Sequence, residues 1–107
     1  MDYDTELNSW FIVNFMDKDN KILLRILWGI IEKDKKHRFI KDQYVSTSEI
    51  ISIINDEYVK TLNTTYKIQK NKGDIISLPG TYLTHALLKK GFSPLHIKKM
   101  YQLQQIH

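Results

Sequence analysis

The first 78 residues consist of apolar or alternating segments separated by short polar turns. Residues 44–54 and 58–69 alternate apolar and polar side chains, the pattern of strands with one buried face. Residues 9–15 are also predicted to form a strand, and residues 75–78 to form a short edge strand. Residues 21–33 are almost continuously apolar, and their isoleucines and Trp28 favour a buried strand over a helix. The pattern predicts an antiparallel β-meander of about five strands, folded as a small sandwich or partial barrel.

Several positions interrupt this pattern. Gly29 lies inside the apolar run, where a glycine suits a bulge or bend. The alternation of residues 44–54 changes phase near residues 49–51, which predicts a β-bulge. Asn63 is expected to bend residues 58–69 or to split them into two strands. The polar residues 17–20 predict a hairpin connection.

After residues 79–80 the apolar period changes from that of a strand to that of a helix. Thr81 is a good N-cap and Gly91 a good helix terminator, so a first helix is predicted between them. Ser93 and Pro94 supply a capping side chain and a first helical residue for a second helix. The expected inner stripe of the second helix comprises Ile97, Met100, Tyr101 and Gln104.

Together these elements predict an α+β protein with a single domain, residues 1–107. Its β-rich core is expected at residues 9–78 and its helical hairpin at residues 80–106. A chain of this size has room for one core and little room for a deep substrate cleft in addition.

Charge is spread unevenly along the chain, whose net charge is +4. Residues 1–59 hold eleven acidic and eight basic side chains, whereas residues 60–107 hold eight lysines and a single acid, Asp74. The net charges of the two parts are therefore −3 and +7. A basic region of this kind fits an acidic partner, either nucleic acid or an acidic protein face, and it also fits a solvated surface that keeps the protein soluble.

The composition excludes several classes of chemistry. Because there is no cysteine, the chain has no disulfide, thiolate metal site or iron–sulfur cluster. The four glycines form neither a phosphate-binding loop nor a dinucleotide fingerprint. The first residues are acidic, unlike a secretory signal, and no apolar run approaches the roughly 20 residues of a membrane span. We therefore expect a cytoplasmic protein without a cofactor, a metal or a membrane partner.

Candidate catalytic residues are few. A hydrolase triad would need a serine, a histidine and an aspartate that meet in space, and the candidates are Ser46 or Ser48, His37, and Asp34 or Asp42. Neither serine lies in a glycine-framed nucleophile elbow, and alternating Ser and Thr is typical of the hydrogen-bonded face of a sheet. We expect no catalytic residue and hence a protein that is not an enzyme.

Three further groups of residues are weaker candidates for a metal site, a general base and a stacking surface. His85 and His96 lie on the two predicted helices, but two histidines with no acid after Asp74 make a poor metal site. Glu49 at the predicted bulge would be a general base only if its surroundings tuned it. Aromatic side chains near lysines are compatible with stacking on single-stranded nucleic acid, and these are Tyr44, Tyr58 and Tyr66 with Lys60 and Lys67.

The helical hairpin is the most suggestive element for binding. Residues 83–105 have the pattern of a helix-turn-helix corner, with a Gly-Phe-Ser turn and a second helix that begins at a proline. However, the second helix has no arginine for bidentate base contacts, and helix pairs of this kind commonly cover a sheet. The predicted partner-binding residues are Lys89, Lys90, Lys98, Lys99, Tyr101 and Gln102.

Residues 10–68 resemble a family of small uncharacterised proteins of bacteria and prophages. The landmarks are Ser9-Trp10-Phe11-Ile12-Val13, Ile30-Ile31-Glu32-Lys33-Asp34 with Arg38-Phe39, Tyr44-Val45-Ser46-Thr47-Ser48, and residues 59–68. The most specific element is Thr-x-Asn-Thr-x-Tyr at residues 61–66. Relatives often place a glycine before the Val-x-Thr-Ser strand, where this chain has Lys41-Asp42-Gln43. The resemblance implies a β-rich fold and a mobile-element setting, and it implies no activity or site residue.

From the sequence we therefore expect a small non-enzymatic protein-binding module of the immunity-protein or inhibitor type. It would act by occluding a functional surface of a partner protein, such as a toxin or a host or defence factor. The alternative is a nucleic-acid-binding regulator that uses the basic C-terminal hairpin. The two hypotheses differ in salt dependence, because affinity for duplex DNA falls steeply with salt concentration.

Overall fold

The computed structural model describes residues 1–105 as a mixed sheet followed by two helices. The strands are β1 (Thr5–Met16), β2 (Ile22–Asp34), β3 (Tyr44–Glu49), β4 (Ser52–Ile54), β5 (Tyr58–Lys60), β6 (Thr65–Lys67) and β7 (Gly73–Pro79). A 3₁₀ turn (Lys70–Lys72) precedes β7, and the helices are α1 (Tyr82–Lys89) and α2 (Pro94–Gln105). The predicted α+β class is confirmed, and the predicted end of the hairpin at residue 106 lies outside the described residues.

Strands β1 and β2 form a long antiparallel hairpin. Its turn is closed by Asp17, whose carboxylate accepts hydrogen bonds from the backbone N–H groups of Asp19 and Lys21. The chain approaches itself closely at Gly29, where a Cβ atom would lie 2.7 Å from the carbonyl oxygen of Ser9. The apolar run is thus a strand, and its glycine is required by the neighbouring backbone.

The strand pairings close into a small barrel. Strands β3 and β4 lie at opposite ends of the order β3-β2-β1-β6-β5-β4, yet only two residues, Ile50 and Ile51, join them. The Ile50 N–H donates to the carbonyl of Arg25 in β2, and the Ile51 N–H donates to that of Lys60 in β5. Residues 44–54 are therefore one bent strand that bridges both ends of the sheet, with its bend at the predicted irregularity.

The antiparallel meander predicted from the sequence matches this sheet only roughly. Residues 58–69 are divided into β5 and β6, because the Thr61 N–H donates to the carbonyl of Thr64 and closes a turn around Asn63. The sheet is mixed, since β6 and β7 both pair with β1 in parallel. Two hydrogen bonds fix this arrangement at β6, one from the Asp4 N–H to the Thr65 carbonyl and one from the Thr65 N–H to the Asp4 carboxylate.

The sheet has an apolar core on each side. The barrel interior contains Leu7, Trp10, Ile12, Leu27, Ile31, Val45, Ile50, Val59, Tyr66 and Ile68. The opposite side of β1, β2 and β7 packs against the helices and contains Val13, Phe15, Ile26, Trp28, Ile76, Leu78, Leu88 and Ile97. The helical hairpin therefore covers one face of the sheet, as helix pairs in α+β proteins commonly do.

The predicted helix caps are present. The Thr81 hydroxyl accepts a hydrogen bond from the Thr84 N–H, and the Ser93 hydroxyl accepts one from the His96 N–H. Gly91 follows the C-cap of α1 with a φ of 99°, a conformation that favours glycine. These local signals mark the start of both helices and the end of α1.

Candidate functional site

The outer surface of the helical hairpin is the candidate site, and its inner contacts hold it rigidly. Leu88 and Ile97 are fully buried against the sheet. The Tyr101 hydroxyl lies 2.7 Å from the Thr84 hydroxyl and 3.1 Å from that of Thr81, so the end of α2 is tied to the start of α1. Because these contacts fix the two helices relative to each other, the outer side chains form a preorganised surface.

The sheet also supports the other end of the hairpin. The Tyr44 hydroxyl donates a 2.6 Å hydrogen bond to the Lys89 carbonyl, which is one of the last carbonyls of α1. The Tyr44 ring stacks on Trp28, with a centroid distance of 6.1 Å and an interplanar angle of 16°. A Cβ atom at Gly91 would contact the Tyr44 ring at 3.1 Å, so the turn between the helices lies directly against this tyrosine.

Four of the predicted contact residues form a basic group at the turn between the helices. Lys89 and Lys90 end α1, and Lys98 and Lys99 follow one turn into α2; we call these residues the lysine corner. All four are exposed. Within residues 1–105, every ion pair lies outside the hairpin, so these four lysines have no acidic partner.

The other two predicted contact residues differ from each other. Gln102 is exposed on α2 beside the lysine corner. Tyr101 is half-buried, and its hydroxyl is bonded to Thr84. Tyr101 therefore supports the surface from beneath, and its contact with a partner stays a prediction.

The sequence reasoning missed the apolar part of this surface. Tyr82 is 90% exposed, Leu83 51% and Leu103 62%. They lie near the start of α1 and the end of α2, where Leu83 and the half-buried Met100 line one shallow depression; we call Tyr82, Leu83, Met100 and Leu103 the leucine end. The inner face of α1 is built instead on Thr84 and Leu88, both fully buried. Because the polar Thr84 is on the buried face of α1, the apolar residues of α1 do not by themselves identify that face. The contact between Thr84 and Tyr101 identifies it.

The surface is shallow. Leu83, Leu87, Met100, Tyr101 and Gln104 line a depression between the helices whose volume is only about 10 Å³. Small-molecule sites are clefts of several hundred cubic ångströms. The depression between the helices therefore leaves no space for a small substrate.

The candidate triad is not assembled. Ser46 and Ser48 line an open groove of about 590 Å³ at the barrel mouth together with Asp42. Asp34 is buried, and its carboxylate accepts hydrogen bonds from the Thr5 hydroxyl and from the backbone N–H of Arg38. Among the described residues, neither serine side chain is hydrogen-bonded to a histidine or a carboxylate.

The Asp34 carboxylate is held in place by hydrogen bonds that connect separate parts of the sheet. Burial raises the pKa of its carboxyl, but hydrogen bonds from the side chain and backbone of Arg38 and from Thr5 outweigh that effect and hold the pKa at about 2. The Arg38 guanidinium also donates to the Thr64 hydroxyl at 3.0 Å. This polar group ties the end of β2 to the start of β1 and to the turn before β6.

The remaining candidates are also separate. His85 stacks on Phe15 at 4.2 Å, whereas His96 is exposed and meets the edge of Phe92. Across residues 1–105, no three histidine, aspartate or glutamate side chains are grouped so as to hold a metal ion. Glu49 is exposed at the end of β3.

The three tyrosines proposed as a stacking platform do not share one surface. Tyr66 is buried inside the barrel, and burial raises the pKa of its hydroxyl. Tyr44 stacks on Trp28 beneath the hairpin, and Tyr58 lies 6.3 Å from Tyr3.

The described part of the chain also contains no helix long and apolar enough to cross a membrane.

Comparisons with known proteins add no relative to this picture. No family model matches the chain, and no curated protein or solved structure shows significant similarity to it. The function must therefore be inferred from the geometry of the molecule itself.

Proposed function

We propose that the chain is a small non-enzymatic protein-binding module, of the immunity-protein or inhibitor type, that acts by occluding a partner's functional surface. The observation that supports this most directly is the outer face of the hairpin, where exposed apolar side chains lie at one end and four lysines, which have no acidic partner among residues 1–105, lie at the other. Protein interfaces combine apolar contacts with polar and charged ones. The proposal needs neither a cofactor nor a metal.

Occlusion requires a rigid surface more than a large protein. A stable interface buries about 800 Å² on each partner. The hairpin is held by Leu88, Ile97 and the Tyr101–Thr84 hydrogen bond, so little backbone ordering is required on binding. A chain of 107 residues can block a larger partner if its surface fits the partner's functional site.

The mobile-element setting expected from the sequence favours a toxin or a host or defence factor as the partner. The lysine corner would face an acidic surface on that partner. If the partner were a basic nuclease, the acidic residues 1–59, with a net charge of −3, would be the better surface. Docking through the lysine corner therefore predicts an acidic partner, and docking through residues 1–59 predicts a basic one.

A nucleic-acid-binding regulator is the second candidate, because Lys98, Lys99 and Gln102 all lie exposed on the second helix of the hairpin. Such binding to duplex DNA would weaken with salt, with a log–log slope of about −0.9 for each phosphate contacted. The absence of binding at about 50 mM salt would exclude this candidate.

The test is affinity capture from the native host, with and without nuclease, read by mass spectrometry. Three baits are compared: the natural chain, K98E/K99E, and the matched control K18E/K72E, whose two lysines are exposed outside the hairpin. Both double variants lower the net charge from +4 to zero. We expect one stoichiometric protein that survives nuclease, is retained by the control and is lost with K98E/K99E. Recovery only of nucleic acid would contradict the protein-binding proposal and favour the second candidate. A protein retained equally by all three baits would contradict a docking role for the hairpin.

A further inference from the structure

Resting on the proposed function, we propose that the partner element docked on the hairpin is an acidic amphipathic helix. Its apolar stripe would contact the leucine end, and its carboxylates would contact the lysine corner. Docking of an amphipathic helix through its apolar face is a recurrent mode of recognition.

The apolar and basic parts of the surface are separated along the hairpin. The Tyr101 hydroxyl bonds to Thr81 and Thr84, so the end of α2 lies beside the start of α1. The leucine end therefore occupies the open end of the hairpin, and the lysine corner occupies its turn. A partner that lies along the outer face of the hairpin meets leucines at one end and lysines at the other.

The electrostatics of α2 favour an anionic partner at the lysine corner. The start of a helix carries a positive partial charge, which acidic side chains normally offset. The first turn of α2 contains no acidic residue, and Lys98 and Lys99 add positive charge shortly after it. No acidic side chain follows Asp74 in the sequence, so carboxylates supplied by a partner would relieve this repulsion.

The dimensions suit a helix of three to four turns. The twelve residues of α2 extend over about 18 Å at the rise of an α-helix. A partner helix of about 12 residues would span both parts of the surface, with leucine-like side chains at helical spacing.

Two synthetic peptides of about 18 residues test this, a length that sustains helix in water. They share one leucine stripe, and one carries glutamates and the other lysines on its polar face. Binding to the full chain is measured by fluorescence anisotropy, with a DNA duplex and anionic lipid vesicles as competing probes. We expect the glutamate peptide to bind at least about tenfold more tightly than the lysine peptide, and more tightly than DNA or vesicles.

Variants then assign the contacts. K98E/K99E brings the lysine corner from +4 to zero and should abolish the preference between the peptides, L83S/L103S should weaken both, and K18E/K72E should preserve the preference. Leu83 and Leu103 are more than half exposed, so their replacement should leave the fold intact, which circular dichroism checks. A glutamate peptide unaffected by K98E/K99E, or tighter binding of DNA or vesicles, would overturn the inference. Failure of both peptides while the captured protein still requires Lys98 and Lys99 would refute the helix and leave the proposed function standing.

Discussion

Asp34 is expected to be the most stabilising carboxylate in the molecule, and Asp34→Asn tests this. Its side chain has no exposed surface and accepts hydrogen bonds from Thr5 at 2.9 Å, from the Arg38 N–H at 2.6 Å and from the Phe39 N–H at 3.1 Å. An amide keeps one acceptor oxygen and replaces the other with a donor. The replacement therefore places an N–H₂ group against the Thr5 hydroxyl or against two backbone N–H groups.

The magnitude follows from proton linkage. The pKa of Asp34 falls from 3.8 to about 2 on folding, which corresponds to about 2.5 kcal/mol of stability at neutral pH. For a chain of this length, that loss lowers Tm by about 10 °C. Because the folded pKa is the lower one, this stability is fully present well above pH 3.8 and is lost as pH falls through about 2.

The assay is urea unfolding followed by tryptophan fluorescence at pH 7, 4 and 2. Asp34→Asn should lose about 2.5 kcal/mol at pH 7 and should show a smaller decrease in stability between pH 4 and pH 2 than the natural chain. Asp19→Asn is the control, since Asp19 is an exposed acid in the β1–β2 turn. If the free energy of unfolding of Asp34→Asn lies within about 0.5 kcal/mol of that of the natural chain at pH 7, as for exposed substitutions, then Asp34 does not stabilise the fold as expected.

Three further substitutions probe the packing, each followed by urea unfolding. Gly73→Ala should destabilise the fold by more than about 2 kcal/mol, because its Cβ would lie 2.2 Å from the backbone oxygen of Trp10; tolerance of alanine would contradict this close approach. Ile97→Ala should cost about 2–5 kcal/mol as a fully buried side chain, and a surface-like loss would show that the helices are not packed on the sheet. Tyr101→Phe should cost about 1 kcal/mol through the lost hydrogen bond to Thr84, and an unchanged stability would show that this bond does not stabilise the fold.

Local chemistry explains why the helical hairpin could be predicted from the sequence. Thr81, Gly91, Ser93 and Pro94 act within a few residues of themselves, through caps and backbone conformation. The β1–β2 hairpin is similar, because the Asp17 side chain closes its own turn. Signals of this kind need no distant partner and can be read directly along the chain.

The candidate surface was predicted only in part. Its lysines were visible because charged side chains on a short helix tend to remain in solvent. The exposure of Leu83 was not visible, because it depends on Thr84 facing inward to meet Tyr101 from the other helix. Helical periodicity identifies which residues share a face, and contacts between elements decide which face is covered.

The sequence by itself determined the α+β class, the order of strands and helices, the caps and the charge of the hairpin, since each depends on residues close together in the chain. Only the tertiary structure decided that β6 and β7 run parallel to β1 and that the sheet closes through Ile50 and Ile51. Strand direction and partner choice depend on hydrogen bonds between distant segments, such as Asp4 with Thr65. Those bonds leave no periodic trace in the sequence, because an alternating strand has the same pattern whichever strand it pairs with.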